Sequence, residues 1–138
     1  LTDPKIHLPL DVLACWDEEN SLFRQTAPGL VKKEEQIFDI GQATIEKFSE
    51  IIKTAKTIFW SGEFGLTEKN NFQTGTIQIA KAIASNKQAL KVAGGGDTVS
   101  FIIAHGLEND FSFLSVGGSA LLEFIANNTL PGIEALKI

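Results

Sequence analysis

The sequence predicts an α/β protein, a three-layer Rossmann-like parallel sheet with flanking helices, and three observations carry that expectation. Short apolar runs alternate with segments of helical periodicity, the connections between them are short, and glycine clusters stand where strands hand over to helices. Strands that alternate with helices pair in parallel through right-handed crossovers. With 138 residues, 43% apolar and 21% charged, the chain has enough material for one core of ordinary size, which excludes disorder, a coiled coil and a small disulfide scaffold.

Taken in order, Lys5 to Ala14 (KIHLPLDVLA) is β-rich and nearly continuous in its apolar residues, as expected of a strand covered on both faces, and Pro9 argues for an end or an edge. Cys15 to Gln36 is polar, carries Pro28-Gly29 and the charge run Lys32 to Glu35, and shows no period, so it reads as a long surface excursion. From Gln42 the spacing of Ile45, Phe48, Ile51, Ile52 and Ala55 predicts a helix, with Asp39 and Gly41 as start signals. Thr57 to Trp60 reads as a short buried strand and Ser61 to Lys69 as a loop. Phe72, Ile79, Ala80, Ile83 and Ala84 then line one face of a second helix. The last two units repeat one arrangement. A short strand (Leu90 to Ala93, then Phe111 to Ser115) meets a glycine cluster that opens into a helix, Thr98 to His105 and then Ala120 to Asn127. Gly106 reads as the stop of the former helix. Four parallel strands result, a small sheet that suggests a missing upstream part.

Composition narrows the function. Seventeen acidic residues against 12 basic ones give a formal charge of −5, and Arg24 is the only arginine, which disfavours nucleic-acid and anionic-membrane binding. No apolar run reaches the roughly 20 residues of a membrane span, and Leu1 to Leu10 is no signal peptide, so a cytoplasmic protein is expected. The lone cysteine, Cys15, has no disulfide partner, and His7 and His105 lie too far apart for zinc spacing. Both histidines, Cys15 and Trp60 read most simply as structural, and Lys32 to Glu35 as a solvated face. There is no methionine and the chain opens on Leu1, so it reads as a piece of something longer.

Loops leaving the carboxyl ends of parallel strands share one edge of the sheet, and there ligands bind. That edge would collect Ser61 to Glu68, Gly94 to Thr98 and Ser115 to Ser119. Two of these loops present backbone N–H groups at a helix N-terminus, where the helix dipole and the absence of a glycine side chain favour a phosphate. Tight packing alone is the plain alternative for each loop. Asp97 is either an ordinary first-turn carboxylate or a ligand for Mg²⁺, a hard cation that bridges carboxylate and phosphate oxygens. No Gly-Lys pair occurs, so this is not a Walker A loop. Val99 stands where the dinucleotide fingerprint needs glycine or alanine, and the acid expected after the next strand is replaced by Leu114 and Ser115.

In order along the chain, HLPLDVLA (7–14), FDIG (38–41), TIFWSGEFG (57–65), VAGGGDT (92–98), FSFLSVGGSALLEF (111–124) and LPGIEAL (130–136) make it resemble the C-terminal, nucleotide-binding part of phosphoglycerate kinase. The resemblance covers nearly the whole chain and is weakest over Cys15 to Gln36. It implies a monomeric cytoplasmic glycolytic enzyme that moves a phosphoryl group reversibly between 1,3-bisphosphoglycerate and Mg-ADP, giving 3-phosphoglycerate and ATP. It further implies that Gly95, Gly96, Asp97 and Thr98 contact the nucleotide phosphates, with Asp97 as the Mg²⁺ ligand. Glu68 stands where the family places an acid on the ribose, Ser61 in a loop of nucleotide contacts, and Gly117 and Gly118 near the transferring phosphoryl. Gly95 and Gly118 are the implied catalytic positions. Four positions depart from the family pattern: Ser61 for asparagine, Glu63 for proline, Val116 for threonine and Ser119 for the third glycine. The family's N-terminal substrate domain and the first half of this domain are absent from 1–138, so the chain alone is expected to be inactive. A non-catalytic nucleotide-binding or interaction module derived from the kinase is the alternative.

Overall fold

The computed structural model describes residues 3–17 and 22–137, in two compact units: Leu1–Thr54 with Glu63–Ala82, and Ala55–Gly62 with Ile83–Ile138. Positions 18–21 of the predicted excursion, and Leu1, lie outside the described residues.

The first unit holds an antiparallel sheet ordered β2-β1-β3, made of β1 (Val12–Cys15), β2 (Arg24–Thr26) and β3 (Gln36–Ile40). This corrects two expectations. The first strand is shorter than Lys5 to Ala14 and does not join the parallel sheet, and the excursion after Cys15 contains a strand. That polar segment becomes sheet by pairing with β1, a partner invisible to periodicity, and a side-chain pair braces it. Arg24 grips both Glu35 oxygens at 2.7 Å and also donates to Leu30 O at 2.8 Å. A fork of this geometry is stronger than a point-charge contact. The guanidinium, with the Lys32 N–H, holds the Glu35 carboxyl down to about 2. Glu35 is thus a paired side chain rather than part of a solvated face.

Two aspartates organise the helices of this unit from a distance. The Asp11 carboxylate accepts hydrogen bonds from the N–H groups of Ala43 at 3.1 Å and Thr44 at 2.8 Å, capping α1 (Gln42–Thr54). It also accepts from Thr44 Oγ1 at 2.7 Å and from Gln25 Nε2. Gly41 leaves room for it, since a β-carbon there would lie 2.3 Å from Asp11 Cγ. Asp39, read from sequence as a start signal for α1, instead serves α2 (Thr74–Ser85): fully buried, it accepts from Gly75 N–H at 2.9 Å. Phe72 fills the space beside these caps, stacked on Phe38 at 4.9 Å and edge-on to Phe23 at 5.7 Å.

The second unit is built on a parallel sheet ordered β4-β5-β6, from β4 (Thr57–Trp60), β5 (Leu90–Gly94) and β6 (Phe113–Ser115). The parallel strands number three, not four, because β1 pairs elsewhere. The helices α3 (Gly96–Ala104) and α4 (Gly118–Asn127) start two residues earlier than periodicity predicts, on the glycines themselves, and a short α5 (Pro131–Ala135) follows. Successive strand residues point to opposite faces. Trp60 meets Phe101 of α3 edge-on at 6.3 Å, whereas a β-carbon on Gly94 would lie 3.2 Å from Phe59 and 3.3 Å from Leu121 of α4. The two helices therefore cover opposite faces of the sheet. His105 is structural as expected, its ring stacked on Phe101 at 4.1 Å with Nδ1 2.9 Å from Phe101 O. Cys15 is buried and donates to Asp17 O at 2.9 Å, and its thiol is pushed up by burial. No helix among the described residues is long and apolar enough to cross a membrane.

Burial pushes the Asp11 carboxyl up, but the hydrogen bonds from Thr44, Ala43 and Gln25 outweigh that and leave it below its ordinary value. An acid held down in the folded state stabilises fully above its unfolded value and loses that contribution as pH falls through the folded one. Asp39 has the opposite sign, because burial raises it. Asp11→Ala is expected to cost about 1–3 kcal/mol in urea unfolding at neutral pH and to flatten the acid limb of the stability profile.

Candidate functional site

Parallel register brings the carboxyl ends of the three strands level, because Trp60 faces Ala93 and Gly94 faces Ser115. Three loops leave from that edge. Ser61 and Gly62 follow β4, Gly95 joins β5 directly to α3, and Val116 and Gly117 join β6 to α4.

Each loop is fixed by backbone chemistry. Gly95 has φ +120°, a conformation that disfavours any side chain, and its N–H donates to Ser115 O at 2.9 Å, tying the second loop to the third. The contact between these loops is closer still. A β-carbon on Gly118 would lie 2.8 Å from both Cα and N of Gly95. The first loop is tied to α3 by Gly62 N–H, which donates to Thr98 Oγ1 at 2.9 Å, and Gly62 O accepts from Trp60 Nε1 at 2.7 Å.

The result is a rim with unpaired donors. In α3 the first amide to find a helical acceptor is Val99, bonded to Gly95 O at 2.9 Å, so the N–H groups of Gly96, Asp97 and Thr98 precede the ladder. In α4 it is Leu121, bonded to Gly117 O at 2.8 Å, which leaves those of Gly118, Ser119 and Ala120. Asp97 is exposed and stands in the first turn of α3. No lysine or arginine occurs in Ser61–Gly62, Gly94–Val99 or Ser115–Ala120, so any attraction for an anion comes from amides and helix dipoles, each dipole worth about 0.3–1 kcal/mol at an exposed end.

The structure thus brings together Ser61, Gly95, Gly96, Asp97, Thr98, Gly117 and Gly118 at one edge of the second unit. Glu68 lies in the first unit, exposed, in a turn closed by Lys69 N–H to Leu66 O at 3.1 Å. Beside it, within the same unit, Ile37, Phe38, Glu63, Phe64, Gly65 and Leu66 line a cavity of about 400 Å³. Glu63 Oε1 is buried without a hydrogen-bond partner among the described residues. Sequence reasoning missed this cavity and the bonds onto Gly62. A buried indole N–H needs an acceptor, which was the available sign that Trp60 does more than fill the core.

A parallel α/β sheet whose carboxyl edge carries two glycine-initiated helix N-termini defines a class of phosphate- and nucleotide-binding folds. A family model of phosphoglycerate kinase matches residues 2–128. Among solved structures, phosphoglycerate kinase from Coxiella burnetii is 32% identical with a TM-score of 0.83, covering 95% of this chain and 34% of its own. Phosphoglycerate kinase from Pyrococcus horikoshii OT3 is 32% identical with a TM-score of 0.79, covering 96% of this chain and 33% of its own. The chain belongs to the phosphoglycerate kinase family, and it spans about a third of the length of these relatives.

The packing of Gly118 on Gly95 separates structural glycines from permissive ones. Gly118→Ala is expected to cost about 1–3 kcal/mol and to shift the amide resonances of Gly95 to Thr98, because the added carbon must push two backbones apart. Nothing lies within 4 Å of a β-carbon on Gly96, so Gly96→Ala should leave stability unchanged within about 0.5 kcal/mol. Urea unfolding and ¹⁵N–¹H spectra of the two uniformly labelled variants check both.

Proposed function

We propose that this chain is the C-terminal part of the nucleotide-binding domain of a phosphoglycerate kinase, preceded in the whole protein by the first half of that domain and an N-terminal substrate domain. The reaction is reversible phosphoryl transfer between 1,3-bisphosphoglycerate and Mg-ADP, in a monomeric cytoplasmic protein. The observation that carries the reading is the donor rim: unpaired N–H groups of α3 and α4 on loops held backbone to backbone, with a free carboxylate at Asp97.

In this reaction the phosphoryl leaves an acyl oxygen of 1,3-bisphosphoglycerate and joins the terminal phosphate oxygen of ADP. Catalysis of that kind rests on positioning and on neutralising spread charge. The N–H groups of Gly96, Asp97 and Thr98 hold the nucleotide phosphates, and that of Gly118 faces the transferring group. Gly95, whose own N–H is spent on Ser115, contributes an open face where a side chain would obstruct the anion. Gly117 sets the turn, Ser61 offers a hydroxyl at the mouth, and Glu68 takes a ribose hydroxyl. Mg²⁺ neutralises the phosphates when bound. A single exposed carboxylate suits an ion that keeps water and phosphate oxygens as its other ligands, and among the described residues no group of three or more acids, histidines or cysteines could cage a metal. Asp97 is that carboxylate. The rest of the protein supplies the other side of the clamp, so residues 1–138 alone are inactive.

Asp97→Ala in the whole protein is expected to reduce phosphoryl transfer from Mg-ATP to 3-phosphoglycerate by at least about 10²-fold with unfolding unchanged. Full activity in that folded variant would remove Asp97 from the site. A second reading, a non-catalytic module derived from the kinase, is favoured by Glu63, which lines the 400 Å³ cavity and keeps one carboxylate oxygen buried without a partner among the described residues. Ser61→Asn combined with Glu63→Pro discriminates by calorimetry. A gain in Mg-ADP affinity over an inactive parent indicates decay from a kinase, and unchanged affinity with an active parent indicates that both substitutions are tolerated.

A further inference from the structure

We propose that Thr98 is a positioning residue that couples the Ser61–Gly62 turn to the N-terminal amides of α3, so that an anion bound at those amides is felt at Gly62. The proposal deepens the kinase reading and rests on it for the identity of the anion, a pyrophosphoryl group.

Gly62 is gripped at both ends. Its carbonyl accepts the Trp60 indole N–H at 2.7 Å and its own N–H donates to Thr98 Oγ1 at 2.9 Å. Trp60 and Thr98 are 4% and 2% exposed while Gly62 itself is exposed, so each bond ties an exposed turn to a buried side chain. Gly62 has φ +98°, so the turn between them is one that only glycine adopts without strain. The Thr98 hydroxyl oxygen is used as an acceptor, yet none of the hydrogen bonds among the described residues uses its proton. That hydroxyl borders the open face of Gly95, where a β-carbon would lie 3.5 Å from Thr98 Oγ1 and 3.8 Å from Ser61 Oγ.

The coupling follows from one property of hydroxyl groups. A hydroxyl that donates its proton to an anion becomes a stronger acceptor at its oxygen, because bonds in a chain polarise one another. An anion oxygen that takes the Thr98 proton therefore tightens the bond from Gly62 N–H. Ser61, the residue before it, is then held beside Gly95. Without the anion the same bond is an ordinary neutral one, and the turn is held less firmly.

Three proteins test this in full-length form, labelled with ¹⁵N-glycine: wild type, Thr98→Val, which keeps the shape and loses the hydroxyl, and Thr98→Ser, which keeps the hydroxyl. Without ligand, the Gly62 amide is expected to exchange about tenfold faster in Thr98→Val and to remain near wild type in Thr98→Ser. With Mg-pyrophosphate as the probe, Gly62 exchange slows in wild type and Thr98→Ser but not in Thr98→Val. In turnover, Thr98→Val lowers kcat/KM for Mg-ADP about tenfold, and Thr98→Ser restores it. Equal Gly62 exchange in wild type and folded Thr98→Val overturns the proposal. If Thr98→Val does not fold, wild type decides: pyrophosphate that protects Gly96 while leaving Gly62 unchanged overturns it, and protection of both supports it. A probe that protects no glycine of α3 defeats the kinase reading instead, and the ligand-free exchange of Thr98→Ser against Thr98→Val still judges the link between Thr98 and Gly62.

Discussion

Gly95 and Gly118 approach so closely that a single added carbon on Gly118 would lie 2.8 Å from two backbone atoms of its neighbour, and the candidate site depends on that approach. It allows two helices on opposite faces of the sheet to begin at the same edge. Each helix contributes three amides ahead of its hydrogen-bond ladder, and the Gly95 N–H to Ser115 O bond keeps the two sets in register. Hydrogen bonds to Trp60 and Thr98 then attach the Ser61–Gly62 loop through Gly62. A site without a lysine or arginine in these three loops must obtain its attraction from aligned dipoles, and aligned dipoles require a rigid backbone.

The first unit solves a related problem with charges instead of glycines. Asp11 and Asp39 each reach a helix distant in sequence and satisfy its orphan amides, and glycines at 41, 65 and 75 make room for the carboxylates. Helix ends capped this way are bound to the sheet as well as terminated. The two carboxyls respond to burial with opposite net outcomes, because Asp11 collects enough hydrogen bonds to offset its desolvation and Asp39 does not.

Much of this was legible in the sequence, for reasons that can be stated residue by residue. Alternation and short connections disclose the α/β class and the three parallel strands, and the glycine clusters disclose where two helices begin. The β2 strand was hidden because its partner is β1 and its brace is the Arg24–Glu35 pair, eleven residues apart, neither of which leaves a periodic pattern. The placement of β1 was hidden because an apolar run has no direction: nothing in Val12–Cys15 tells an antiparallel partner from a parallel one. Asp39 was read as a cap for the helix nearest in sequence, whereas its carboxylate reaches the amide of Gly75. At the site, the residue types pointed to the rim, while the bonds onto Gly62 depend on the fold.

Of the four positions that depart from the pattern the resemblance implies, three are exposed and one, Glu63, is half-buried. Ser61, Val116 and Ser119 are all exposed, Val116 at 76%, whereas a β-carbon on Gly118 would lie 2.8 Å from the backbone of Gly95. A glycine packed against backbone has nothing to trim, so any change there can only add atoms, and every addition collides. Outward-facing rim positions carry no such penalty. Volume is thus the constraint that differs between the two places: the floor where Gly118 meets Gly95 has no room for an added atom, and the exposed lip has, so a side chain there can retune what enters without disturbing what holds it.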